Sequence, residues 1–189
     1  MHAWPLVIRL GEKPTKKSFS WMDFVPVTFV SILFISQIIV GIYLLSDVSQ
    51  IKILAYVGVG LYVFSGIVFG WLPVTEFRRK GEVRKGRSYI HTTRVVDTGI
   101  YSIVRHPQYV TFMLWAIAGM LLFQHWIIIV MGIPIMPLTY IDLMRADKDA
   151  IDKFGDDYKA YMKKVPRANF LLGIIRLLQR GKRERKDDE

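Results

Sequence analysis

The chain has 189 residues, 52% of them hydrophobic, a formal net charge of +10 and no cysteine, with a mean hydropathy of +0.28. That length makes one compact unit the prior; the missing cysteines exclude disulfides, thiolate nucleophiles and Cys-based metal sites, and four histidines without an HExxH-like spacing give no metal centre. The apolar residues come in long blocks flanked by basic ones, which points to an integral membrane protein whose cations meet lipid head groups rather than nucleic acid.

Residues 1–20 interleave Arg9, Lys13, Lys16 and Lys17 with Trp4, Leu6, Ile8 and Phe19, the composition of either a short interfacial segment or a disordered lead-in. No secretory cleavage pattern is visible there. The first expected span, 24–45, carries no charge; its twenty-two residues at ~1.5 Å each reach ~33 Å, enough for a hydrocarbon core. Pro26 falls in its first turn, where a missing N–H does no harm. A polar turn, Ser46 to Gln50, leads to a second span, 51–72. Within it Gly58-Val59-Gly60-Leu61-Tyr62-Val63 mimics a dinucleotide fingerprint, but no βαβ context surrounds it. Gly66 and Gly70 form a GxxxG pair, a device for close helix contact.

Residues 73–107 read as a long polar linker rich in Arg and Lys, cytoplasmic by the positive-inside rule, with both chain termini on the same side. Residues 108–144 read as a helical hairpin turning at Gln124-His125. Pro134 and Pro137 are expected to kink its return helix, and His125 reads as a turn residue. Residues 145–178 are expected to form cytoplasmic helices over the membrane face: Ile151, Phe154, Tyr158 and Tyr161 recur at three- and four-residue steps, and a short buried or surface helix follows from Phe170 to Leu178. The segment 179–189, charged on every side, reads as a disordered tail. The fold expected is thus all-α and membrane-integral, with four to five transmembrane helices, a helical hairpin and a cytoplasmic amphipathic C-terminal helix.

Chemistry concentrates where the linker meets the hairpin. Arg105 and His106 stand at the mouth of an apolar span, a costly place for a guanidinium and an imidazole unless they bind something. Pro107 restricts His106 and can open the next helix. Hairpin geometry returns the Arg145–Asp149 cluster to the same membrane face. The result is a polar pocket open to water on one side and lipid on the other, suited to a soluble cofactor meeting a lipid-borne substrate.

The run Tyr101-Ser102-x-x-Arg105-His106-Pro107-x-Tyr109 resembles the signature of the isoprenylcysteine carboxyl methyltransferases and related phospholipid methyltransferases. Arg145-Ala146-Asp147, then Phe154-Gly155-x-x-Tyr158-x-x-Tyr161 and Val165-Pro166-Arg167, resemble the second signature of the same group, so the resemblance covers roughly residues 90–170. It implies S-adenosylmethionine as methyl donor, with S-adenosylhomocysteine as product, bound without a Rossmann fold between the hairpin and the C-terminal helix. Carried over, Tyr101, Val104, Arg105, His106, Tyr109, Arg145 and Tyr158 hold the cofactor. Asp147 and Arg167 stand as catalytic candidates, Asp147 for the methionyl ammonium and Arg167 for a substrate carboxylate. The group has paired glutamates where this chain has Ala146 and Asp147, with Asp149 nearby as a substitute.

The acceptor implied is the carboxylate of a prenylated cysteine. The alternatives are a phospholipid amine, which needs a base, and a sterol-type reduction with NADPH. The partners are a lipid or lipidated substrate and the surrounding membrane lipids, and the oligomeric state stays open. A transporter would place polar groups at mid-membrane, where spans one and two have few.

Overall fold

The computed structural model describes residues 25–44, 50–80 and 94–187. The expectations for residues 1–20, for the turn at Asp47 and for the middle of the linker fall outside that set. Among the described residues there are six helices and no strand: α1 (Val25–Tyr43), α2 (Lys52–Lys80), α3 (Pro107–Phe123), α4 (Trp126–Phe154), α5 (Asp156–Lys164) and α6 (Phe170–Asp187), with a 3₁₀ turn at Gly99–Ser102.

Helices α1 to α4 form an antiparallel bundle in which α3 packs against both α2 and α4, and α1 lies on α4. The α2–α3 seam is set by small residues. A Cβ on Gly58 would stand 2.8 Å from Leu122 N and 2.9 Å from Ala118 O, so two backbones meet there. Gly66 and Gly70 of the GxxxG pair face Trp115 and Thr111 of the same chain. Trp115 stacks on Tyr62 at 4.8 Å and on Phe34 at 5.5 Å in a three-ring cluster, with its indole N–H donating to Tyr62 O at 3.0 Å. Val30, Ala116 and Ile135 close the α1–α3–α4 core. The first apolar helix is pinned by one polar group: Gln37 Nε2, fully buried, donates to Ile128 O at 3.2 Å and Ala116 O at 3.4 Å. An amide away from water must find such partners.

Helices α2 and α4 are 29 residues each, long and apolar enough to cross a membrane; α1 and α3 are shorter apolar helices. Large apolar side chains such as Ile39, Ile53, Ile67 and Ile133 project outward from α1, α2 and α4, the surface a bilayer would cover.

Three boundaries depart from the sequence expectation. Helix α2 continues through residues 73–80, taken above as linker. The π turn at Gly66–Trp71 widens the helix just before Pro73, with Leu72 N–H donating to Ile67 O, and this makes room for a ring that would otherwise strike the preceding turn. Glu76 then pairs with Arg79 and Lys80, each at 2.9 Å, along the helix surface. Helix α4 is continuous through Pro134 and Pro137 and runs past residue 144 to Phe154. The expected charged tail is also helical, since α6 extends to Asp187. Its middle is tied down by Arg180, which donates to Ser102 O at 2.8 Å, so high charge did not prevent order there.

At the far turn, Gln124 adopts a left-handed conformation and exchanges hydrogen bonds with Ile51 N and O. His125 caps α4 by accepting from Ile127 N at 3.2 Å, the role of a turn residue.

Candidate functional site

The site lies at the opposite end of the bundle from that turn. The segment 99–106 crosses the bundle end before Pro107 opens α3 as its first residue, a position where a missing N–H costs nothing. Three ties hold the segment. Tyr161 O–H donates to Tyr101 O at 2.6 Å, Arg105 N–H donates to Pro166 O at 3.1 Å, and Arg180 takes Ser102 O. The two motif blocks are therefore joined through backbone as well as side chains.

Their meeting point is Asp147, on the part of α4 beyond its apolar run and 3% exposed. Its Oδ1 accepts from Arg105 Nη1 at 3.0 Å and Tyr158 O–H at 2.8 Å, and lies 2.7 Å from His106 Nε2. Its Oδ2 accepts from Arg167 Nε at 2.7 Å. Tyr158 O–H also lies 3.1 Å from His106 Nε2. One carboxylate thus gathers two guanidiniums, an imidazole and a phenol from three separate chain segments, the arrangement that repays the desolvation of a buried charge. Burial pushes the Asp147 carboxyl up, but the hydrogen bonds from His106, Tyr158 and Arg167 outweigh it and hold it at about 2. Burial, then the Asp147 hydrogen bond and charge, push the Tyr158 phenol well above its ordinary value. Burial does the same to Tyr161.

Beside this hub is a cavity of about 320 Å³, within the range of small-molecule sites. Tyr101, Arg105, His106, Tyr109 and Tyr158, all named from the sequence, line it. Phe154 and Tyr161 of the second signature also line it, as do Ala146 and Asp149. Phe77, Val95, Val96, Gln108 and Lys153 are also in the wall and were not singled out in the sequence. Phe77 reaches the cavity because α2 continues past Pro73.

The remaining sequence candidates lie elsewhere. Val104 is fully buried in a core cluster with Phe69 and Val110. Arg145 is half exposed, faces Asp142 at 3.7 Å and does not line the cavity. Arg167 stands on the other side of Asp147, where its Nη1 donates to Tyr140 O–H at 3.1 Å and its guanidinium lies over the Tyr140 ring. Asp147 itself does not line the cavity and is engaged by four side chains of this chain, three on Oδ1 and one on Oδ2.

Tested against a nucleoside-sized zwitterionic cofactor, the residues fit. The walls are mainly apolar and aromatic, with cations and one carboxylate, Asp149, among them. Arg105 and His106 in the wall are donors that a bound carboxylate could use. A second cavity of about 340 Å³ runs between α1, α3 and α4; Gln108 and Tyr109 belong to the walls of both, so the two adjoin. Its lining of Val30, Phe34, Ile35 and Phe112 is apolar, and it also holds Thr139, whose buried hydroxyl has no partner, and Asp142.

Residues 86–149 match the model of the isoprenylcysteine carboxyl methyltransferase (ICMT) family. A protein-S-isoprenylcysteine O-methyltransferase of Schizosaccharomyces pombe is 27% identical over 114 residues, covering 55% of this chain and 48% of that protein. The chain thus spans about half the length of that curated relative. No solved structure matches it. The matched segment contains the Tyr101–Tyr109 motif and Asp147, and over that segment the chain is similar to the isoprenylcysteine carboxyl methyltransferase family.

Proposed function

We propose that this chain is a multi-pass membrane methyltransferase that binds S-adenosylmethionine in the 320 Å³ cavity and methylates the carboxylate of a prenylated cysteine. The observation that carries the reading is the Asp147 hub, which fastens both motif blocks into one wall beside a cavity of the right size. The family match over residues 86–149 supports it independently.

The cofactor supplies an activated methyl group on a positively charged sulfur. The reaction then needs alignment more than acid–base help, and alignment is worth on the order of 7–11 kcal/mol in favourable cases. This chain's residues provide that alignment. Arg105 and His106, both in the cavity wall, hold the cofactor's carboxylate end. Asp149 lies in the same wall to meet an ammonium. Phe154, Tyr101, Tyr109 and Phe77 offer ring faces and edges to an adenine. The adjoining apolar cavity between α1, α3 and α4 takes the isoprenoid chain, which brings the acceptor in from the bilayer past Gln108 and Tyr109. Arg167, which lines neither cavity, holds Asp147 Oδ2 from the far side at 2.7 Å and so braces the hub. The basic linker and the site face the cytoplasm, by the positive-inside rule.

Calorimetry with S-adenosylhomocysteine on protein in lipid nanodiscs tests the cofactor, with NADPH as the control. Radiolabelled methyl transfer to a farnesylated cysteine, beside phosphatidylethanolamine, tests the acceptor. Binding and transfer to the farnesylated cysteine are expected. Stabilisation by NADPH alone, or transfer to the amine alone, would replace this reading.

A further inference from the structure

Helix α6 is oriented against the usual pattern. Its residues nearest the protein are Phe170, Gly173, Arg176 and Arg180, at steps of three and four. Leu171, Ile174, Ile175 and Leu178 point away from it, exposed to 62%, 40%, 51% and 62%. Those four positions are i, i+3, i+4 and i+7, a continuous apolar stripe. The helix is also basic. Arg176, Arg180, Lys182, Arg183, Arg185 and Lys186 stand against Glu184 and Asp187.

The depth of the helix is fixed by its start. Phe170 packs on Phe69 at 5.3 Å, inside the apolar run of α2. Trp71 and Leu72, a short step further along α2, are themselves exposed. The apolar stripe therefore begins at the level of the bundle's own outward-facing apolar surface, and the basic end follows where that surface gives way to charge.

We infer that α6 is an in-plane membrane helix, with its Leu171–Leu178 stripe in the acyl boundary of the leaflet nearest the site and its net-basic C-terminal half drawn to a leaflet of anionic lipid head groups. Apolar burial and attraction to anionic head groups together are what hold such helices to a bilayer. The same helix is fastened to the first motif. A side chain on Gly173 would collide with the Ile103 carbonyl, and Arg180 holds Ser102 O. Seating α6 on an anionic leaflet thus steadies the segment that carries Arg105 and His106. The inference does not depend on the reaction proposed above.

The test places a nitroxide, one at a time, at Leu171, Leu178, Gln179 and Lys182 of the full chain. The protein is held in nanodiscs of phosphatidylcholine alone or of an equal mixture with phosphatidylglycerol. Collisional accessibility to oxygen, which partitions into lipid, is compared with accessibility to a water-soluble nickel chelate. Positions 171 and 178 are expected to favour oxygen, positions 179 and 182 the chelate, and the oxygen preference at 171 and 178 is expected to rise in the anionic discs and fall with added salt. A chelate preference at 171 and 178, or immobilised labels there shielded from both reagents as under a protein partner, overturns the inference; so does identical behaviour in the two lipids. The variant Leu171→Glu/Leu178→Glu touches no packed residue and should remain in the nanodisc with its oxygen preference at a label on Ile175 lost.

Discussion

Arg105 and Asp147, 42 positions apart in the chain, form an ion pair at 3.0 Å with 6% and 4% of their side chains exposed. Neither position is hydrophobic and neither lies in the same sequence block. Their pairing sets the relative placement of α3 and α4 at the site.

Replacing Asp147 by Asn keeps the shape and removes the charge. Arg105 and Arg167 are then left facing a neutral group, Arg105 with almost no water. Breaking a buried pair from one side costs about 3–5 kcal/mol. A large drop in thermal midpoint is expected in detergent, together with loss of S-adenosylhomocysteine binding by calorimetry. Retained binding with an unchanged midpoint would show the hub to be dispensable.

Acid should unfold the protein through the same group. The Asp147 carboxyl is held at about 2 against 3.8 for the ordinary group. A carboxyl lowered on folding stabilises the fold above its unfolded value and loses that contribution as pH falls through its folded value. The stabilisation, about 2 kcal/mol, is therefore complete above roughly pH 4 and disappears between there and about pH 2. Denaturation midpoints followed across that window should fall in the wild type and change less in Asp147→Asn.

Tyr158→Phe removes one hydroxyl and keeps the ring in the cavity wall. The lost bond is to a buried carboxylate at 2.8 Å, which costs about 1.5–3 kcal/mol. Cofactor affinity should fall while the helical circular dichroism signal is kept. Because the phenol is pushed well above its ordinary value, by burial and then by Asp147, no alkaline transition in binding is expected from Tyr158 below pH 10.

Gly155 joins α4 to α5 at φ +60°, ψ −129°, with open space where a side chain would sit. Gly155→Ala therefore strains only the backbone, by about 1–3 kcal/mol. The expected result is a lower thermal midpoint and weaker cofactor binding, since α5 carries Tyr158 and Tyr161 into the site. An unaltered midpoint would mean that the turn relaxes freely.

Gln37→Leu removes the hydrogen bonds that α1 makes to Ala116 O and Ile128 O. Interhelical bonds of this kind average about 0.6 kcal/mol in membranes, so a small loss of thermal stability with intact cofactor binding is expected.

What was legible in the chain was local. The uncharged runs, the helix-opening Pro107, the turn at Gln124-His125 and the three- and four-residue steps of Ile151, Phe154 and Tyr158 are all set within a few turns by sterics and burial. The Tyr101–Tyr109 and Arg145–Arg167 motifs both supply residues to the cavity wall, and five of the seven cofactor candidates line it. Sequence alone did not carry α2 past Pro73, because the π turn that admits the proline depends on packing against α3. It did not show the helical tail, because composition counts charge and misses the anchor from Arg180 to Ser102. The role of Asp147 was likewise decided in three dimensions. A carboxylate's four acceptor directions say nothing of their partners until α3, α4, α5 and the Val165–Arg167 turn arrive around them. Burial then makes every one of those donors matter, because no water is there to replace it.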